Sequence, residues 1–295
     1  MTIGLANYPG IYYTAKYYQR NPKEVSSYSK KVTPDLSSLR ILFIDSLVVK
    51  PDMNTFIANH LLAPLGQKML QSPIEVVTPI ASLPEHAGMI VGFRDYLGPS
   101  KLEEYEQEQG TKRTIFASGK SRDVWECVLD ANELRRKKVV VLATAESAAI
   151  YREEEKDDPG YVKVGSHGFP FPTSSVAIVD PETNLLCPSD TVGEIWMDVI
   201  SPPEGFWGIP ALSDLVYRAS PMVVPPETLY PESLHQQFVR TGLLGTIIGG
   251  RLVILGPYEE CIRQQRLDEQ LGAEEIHMTS DLLSTISKRC KLEAW

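Results

Sequence analysis

Two short, almost wholly apolar runs separated by an amphipathic segment constrain this chain more than any other feature. Ile41–Val49 is interrupted only by Asp45-Ser46, and Pro73–Ile80 follows a short polar turn. Between them, Asn54 to Leu65 sets Phe56, Ile57, Leu61, Leu62 and Leu65 on one side of a helix. A strand that is apolar on both faces must be covered on both. Strand, helix, strand therefore predicts an α/β layer with a mostly parallel sheet and flanking helices. Ahead of it, Tyr8 to Arg20 predicts a helix ending at the Asn21-Pro22 breaker. Tyr12, Tyr13, Tyr17 and Tyr18 fall at helical spacing within it and read as packing residues.

Further on, Asp95 to Arg122 is polar, and its acidic run Glu103–Glu108 predicts a solvated connection or exposed helix. Val124–Leu129 and Lys138–Thr144 are strand candidates around a short helix, Ala131–Arg136. Glu153 to Gly160 reads as a surface loop and marks the expected division between an α/β unit, residues 1–160, and a second unit, 161–262. In the second unit the period changes. Ser174–Val179, Val192–Asp198, Gly242–Ile248 and Leu252–Leu255 are short and β-branched or alternating, and Gly249-Gly250 signals a hairpin. This half predicts a small distorted β-barrel. From Cys261 onward the chain is charged, with helix expected over Arg263–Gln270 and Ser280–Lys291.

Composition removes several classes of function. With 29 Lys+Arg against 38 Asp+Glu, the net charge of −9 argues against a nucleic-acid partner, which needs clustered cations on phosphates. No apolar run is long enough to span a bilayer, and Met1 is not followed by a basic segment and apolar stretch of the secretory kind. Cys127, Cys187, Cys261 and Cys290 lie far apart without C-x-x-C spacing, so free thiols in a reducing compartment are expected rather than a disulfide framework or zinc site. Ser166-His167 lacks an Asp partner and a nucleophile elbow, which disfavours a hydrolase triad. The expected location is cytoplasmic, with the periphery of an organelle membrane as an alternative.

One run in the second half carries a family resemblance. Val176-Ala177-Ile178-Val179-Asp180-Pro181-Glu182-Thr183 is followed by Val192-Gly193-Glu194-Ile195-Trp196, then Gly205-Phe206-Trp207, then Val239-Arg240-Thr241-Gly242. The order and intervals resemble the adenylate-forming (AMP-binding) superfamily, where VDPET, GEIW, GYW and RTGD recur. Upstream, Ala81-Ser82-Leu83-Pro84-Glu85 stands where that family has YGLAE. Within the superfamily the chain resembles the fatty-acyl-AMP-ligase-like domains of disco-interacting-type proteins, fungal ones in particular. The form Arg240-Thr241-Gly242-Leu243-Leu244-Gly245 and the segment Tyr258–Gln264 point to the first of their tandem domains.

The resemblance implies that the first half is the later part of the family's large domain and the second half its barrel. The tail, 263–295, would be a hinge and the start of a mobile small domain. It implies ATP or AMP and Mg²⁺ as cofactors, an acyl or lipid-like small molecule and other domains of the same polypeptide as partners, and lipid metabolism as the setting. The family's phosphate loop would lie upstream of residue 1 and its catalytic lysine downstream of Trp295. Glu85 matches the metal-binding glutamate, sound chemistry for a hard ion bridging phosphates, though a surface glutamate at a strand end is a rival reading. Asp45 and Ser46 occupy the adenine segment, Ser82 the loop before Glu85, and Thr241-Gly242 the ribose segment.

Four positions depart from the pattern. Ala81 replaces an aromatic that stacks near the adenine. Leu243 replaces the carboxylate that accepts from both ribose hydroxyls, each charge-assisted bond being worth about 1.5–3 kcal/mol, so nucleotide affinity falls by roughly a hundredfold or more. Pro257 replaces a ribose- and phosphate-contacting arginine, and Glu259 reverses the charge of the usual lysine. Three readings follow: a ligase-like domain that has lost catalysis and recognises an acyl chain, acyl-adenylate or related lipid; part of an active acyl-AMP or acyl-CoA ligase; and a structural module that binds protein.

Overall fold

In the computed structural model the residues described are 3–23, 34–66, 69, 72–83, 86, 89–91, 125–144, 147–148, 160–170, 174–199, 201–226, 230–265, 274–280 and 282. The chain opens with strand β1 (Ile3–Asn7) and helix α1 (Tyr8–Arg20). Asn7 caps α1, its side chain accepting from Gly10 N at 2.9 Å. Strand β2 (Ile41–Asp45) leads to α2 (Pro51–Ile57), which runs through a π-helical turn (Ala58–Leu62) into α3 (Ala63–Leu65). A single turn, α4 (Pro73–Val76), precedes β3 (Val77–Ile80).

β1, β2 and β3 form a parallel sheet in the order β1-β2-β3, with Leu42 opposite both Gly4 and Val77. The helices bury its Leu42 and Ile44 beneath Tyr8, Ala15, Ile57, Leu61 and Leu62. The expected parallel layer is present, with three changes of boundary. The strand expected over Ile41–Val49 stops at Asp45, where the carboxylate turns to a side-chain partner. The helix begins at Pro51 rather than Asn54, since proline fits the first helical position without losing a hydrogen bond. For the same reason Pro73 starts a helical turn, so the strand expected from Pro73 is only Val77–Ile80. Of the four tyrosines, Tyr12 and Tyr18 pack against the core, Tyr12 on Phe56 at 5.2 Å, while Tyr13 and Tyr17 are exposed.

Short strands β4 (Ser82–Leu83) and β5 (Met89–Ile90) pair with each other. Next, β6 (Glu126–Asp130), α5 (Ala131–Arg135), β7 (Val141–Thr144) and β8 (Tyr161–Gly165) build an antiparallel sheet in the order β7-β6-β8. It takes strands from both sides of position 160. The segment Asp95 to Arg122 and residues 153–159 lie outside the described residues.

The last part holds β9 (Ser175–Val179), β10 (Gly193–Asp198), α6 (Pro210–Tyr217), a two-strand pair β11 (Met222–Val223) and β12 (Glu232–Ser233), then β13 (Val239–Ile248) and β14 (Arg251–Pro257). Strands β14-β13-β10-β9 make an antiparallel sheet. The β13–β14 hairpin turns on Gly249 and Gly250, both at positive φ, +57° and +79°, as a two-residue loop of primed type requires. The distorted barrel expected here is an open four-stranded sheet; among the described residues no barrel closes. Its exposed flank is covered by β6, β8 and α5, through a core of Leu129, Leu134, Val162, Leu244, Val253 and Leu255.

Finally, β15 (Ile262–Gln265) pairs antiparallel with β16 (Glu274–His277). Helix was expected over Arg263–Gln270; over Ile262–Gln265 the residues form a strand because partners nine to fifteen positions away complete the ladder, and local propensity does not register such pairing. Of Ser280–Lys291, only Ser280 and Leu282 are described, and Leu282 N bonds Met278 O at 2.9 Å as in a helical turn.

Candidate functional site

Parallel strands present ligands at their carboxyl ends, and Asp45, Ser46 and Ser82 gather there. Asp45, last in β2, accepts from Ser82 N at 3.0 Å and from Ser82 Oγ at 2.5 Å. Ser46 N donates to Ile80 O at 2.9 Å, so β2 and β3 stay joined past their last ladder pair. The Ser46 carbonyl lies 2.8 Å from His167 Nε2. A carbonyl only accepts, which fixes the imidazole proton on Nε2. Burial pushes the His167 pKa down to about 4, against the raising effects of that hydrogen bond and of Asp45, so the ring is neutral. His167 N also donates to Leu252 O at 2.9 Å. One residue thus ties the parallel sheet, through its imidazole, to the antiparallel one, through its backbone N–H.

The residues of the second half sit on β13. Thr241 Oγ1 donates to Ile195 O at 2.6 Å and accepts from Leu243 N at 3.2 Å. Gly242 N donates to Glu194 Oε1 at 3.1 Å. Glu194, 3% exposed, also takes two bonds from Arg240, Nη2 at 2.7 Å and Nε at 3.1 Å on the same oxygen. The Arg240 guanidinium lies 5.2 Å from the Trp196 ring. A carboxylate removed from water needs such a full set of partners. Both Thr241 Oγ1 and Gly242 N–H are therefore spent within the fold.

What joins the two groups is apolar. Ala81, fully buried, and Leu243, 3% exposed, belong to one cluster with Leu83, Val91, Ile195, Met197, Leu252 and Ile254. Moreover, Leu243 is the cross-strand partner of Pro257. Three of the positions that depart from the adenylate-forming pattern are thus neighbours in space: Ala81 and Leu243 through one core, Leu243 and Pro257 through one rung. Leucine and proline side chains offer no acceptor or donor to a ribose or a phosphate. The residues present do not fit a nucleotide held as the resemblance implies. Glu85 lies outside the described residues. His86, beside it, lies in a helical turn after β4, buried, with its ring edge-on to Tyr217 at 5.4 Å. Among the described residues no group of three or more His, Cys, Asp or Glu side chains stands ready for a metal ion.

Two features were not legible as a site. Glu194 and Arg240 were each visible within a motif, but their pairing across 46 positions was not. The second is an open cleft of about 310 Å³ where β10 ends, β13 begins and α6 ends. Met197, Val199, Tyr217 and Phe238 form its apolar part, with Asp198 and Arg218 at its rim. Asp198 Oδ2 accepts from Gln236 Nε2 at 2.7 Å, and Arg218 pairs with Asp214. His86 backs the cleft through Tyr217.

This geometry has the fold of adenylate-forming domains. A fatty acyl-adenylate ligase from Legionella pneumophila, solved in complex with acyl adenylate and pyrophosphate, superposes on 99% of this chain with a TM-score of 0.57 at 16% identity, the chain spanning 48% of that enzyme. Within that fold the chain resembles the fatty-acyl-AMP-ligase-like kind. An uncharacterized protein of Schizosaccharomyces pombe is 35% identical over 289 residues, 97% of this chain and 18% of that protein. The Homeostatic regulator of DAG of Saccharomyces cerevisiae is 24% identical over 274 residues, 85% of this chain and 15% of its own length. A 4-hydroxyphenylalkanoate adenylyltransferase of Mycobacterium tuberculosis is 38% identical over 97 residues, 33% of this chain and 15% of that enzyme. The chain therefore spans less than a fifth of the curated relatives it matches. No family model matches it. Among the described residues, no helix is long and apolar enough to cross a membrane.

Proposed function

We propose that this chain is a ligase-like portion of a larger protein of lipid metabolism, one that recognises an acyl chain or related lipid and does not adenylate it. The observation that carries this reading is the filling of the nucleotide corner by Ala81, Leu243 and Pro257. Leu243 is already buried by this chain's own side chains, and segments outside it can only add to that burial. An adenylate would have to displace a packed leucine and gain no ribose acceptor in return. The acyl half of the old substrate needs only apolar surface. The cleft beside Tyr217, about 310 Å³, offers part of it: Met197, Val199, Tyr217 and Phe238 line it together with Asp198, Glu204, Arg218 and Gln237, at the low end of the usual size of small-molecule pockets, about 300–1,000 Å³. The names of two comparison proteins, a regulator of DAG and a ligase solved with acyl adenylate, favour a lipid-like ligand over a purely structural module. A soluble, peripheral position fits the net charge of −9 and the absence, among the described residues, of a membrane-crossing helix.

The rival reading, part of an active acyl-AMP or acyl-CoA ligase using Mg-ATP and Glu85, is favoured by one observation, the likeness of a third of the chain to a named adenylyltransferase. Displacement of a fluorescent long-chain fatty acid separates the two. The lipid-recognition reading expects saturable binding, weakened at least about tenfold in Val199→Glu, where a charge enters the cleft, and unchanged by Mg-ATP; a loss of tenfold is about 1.4 kcal/mol. Binding that tightens with Mg-ATP and disappears in Glu85→Ala would favour the ligase, and no fatty-acid binding would leave the structural module.

A further inference from the structure

The resemblance implies a hinge and the start of a mobile domain over 263–295, just past Glu260, the carboxylate that it leaves at the hinge. The observed contacts past the hinge are those of a fixed part. Ile276 and Met278 are 3% and 1% exposed, and their neighbours are Cys127, Leu129, Leu134, Val253 and Leu255, the core shared by β6, α5 and β14. Residue 279 passes so close to β14 that a Cβ on Gly256 would lie 2.6 Å from Thr279 Cβ and 3.2 Å from its backbone nitrogen. Gly256, at φ +141°, is therefore required twice, for its backbone angle and for this approach. Thr279 Oγ1 also reaches back 3.4 Å to Glu260 Oε2, bridging the hinge itself. On the outer side Arg263 binds Glu182 at 2.6 Å and stacks on the Tyr258 ring at 5.4 Å, so the first strand past the hinge is held to the β9–β10 turn as well.

We infer that residues 274–280 are a strap rather than the base of a swinging arm: they clamp β14 and the Glu260 corner to the β6–α5 layer and block rotation about the hinge. Turning the chain at Glu260 would draw two fully buried side chains out of the main core, a motion that belongs to unfolding and not to a functional cycle. The device holds Pro257 opposite Leu243 in a single arrangement. It stands independently of the lipid-recognition reading, since it rests on packing alone.

Thiol labelling with a maleimide, followed by peptide mass mapping, tests it in the folded chain. Cys127, fully buried, reports global opening, and Ile262→Cys, at an exposed position on the same ribbon, reports a free surface. In Met278→Cys the new thiol should label within about tenfold of the Cys127 rate and at least about a hundredfold slower than the thiol at 262. Labelling at the rate of position 262 while Cys127 stays protected would mean that the segment swings out, and would overturn the proposal. Should Met278→Cys itself unfold, Cys127 labels with it, and Ile276→Cys decides by the same comparison.

Discussion

His167 is held neutral between a carbonyl and an apolar surround, and this makes its contribution to stability dependent on pH. In the unfolded chain an imidazole takes its proton near 6.5; in the fold burial lowers that to about 4. Between those values the unfolded state binds more protons, so stability falls as pH drops from 6.5 towards 4 and is flat above 7. The full loss amounts to about 3 kcal/mol. Urea unfolding from pH 8 to 4.5 should follow this slope, and His167→Gln, which keeps a donor for the Ser46 carbonyl, should flatten it. His167→Ala should also flatten it, at a cost of about 1–3 kcal/mol at pH 8 for the carbonyl left without a donor. None of this was legible beforehand. Ser166-His167 was examined for a triad, and its structural role rests on a partner 121 positions away. The losses at Ala81, Leu243 and Pro257 were legible, because each sits inside a motif with a fixed register; their adjacency in space was not.

Elements held together by neighbours in sequence were the easier ones to read. Helix α1 ends as expected because Asn21-Pro22 is a local signal. The β13–β14 hairpin was marked by Gly249-Gly250 alone. That reading makes a sharp prediction, because the two glycines differ in surroundings. At Gly249 a Cβ meets nothing within 4 Å, whereas at Gly250 it would stand 3.3 Å from the Phe169 ring. Gly249→Asn, a residue that tolerates left-handed backbone, should change stability by less than about 0.5 kcal/mol. Gly250→Val should cost about 1–3 kcal/mol in thermal or denaturant unfolding, from backbone strain and crowding together. The elements misread are those whose partners lie far along the chain. β15 was taken for helix because its charged, straight-chain residues favour one, and the ladder to β16 overrides them. Strand spacing says nothing about closure, and among the described residues the strands expected in a barrel form an open sheet.

At the scale of the whole molecule the chain joins a parallel layer to an antiparallel one, and the residues that bear on the nucleotide reading, Asp45, Ser46, Ser82, Ala81 and Leu243, lie along that join. Lys163 of β8 reaches Asp52 at the start of α2, 2.9 Å away, and Glu126 of β6 at 3.1 Å. Burial works against the charged form of this lysine, but the two carboxylates overcome it and raise its pKa. The Asp45–Ser82 bond, the His167 bridge and the Ala81–Leu243 core cross the same join. Where the resemblance implies a nucleotide, this chain has a packed leucine. The most direct test is a calorimetric titration of AMP into the protein at its natural length, alongside Leu243→Asp with Pro257→Arg. The account predicts no saturable heat from the unaltered protein up to about 1 mM AMP, a dissociation constant weaker than about −4 kcal/mol of binding. Saturable binding of AMP by the unaltered protein at micromolar concentration would contradict it.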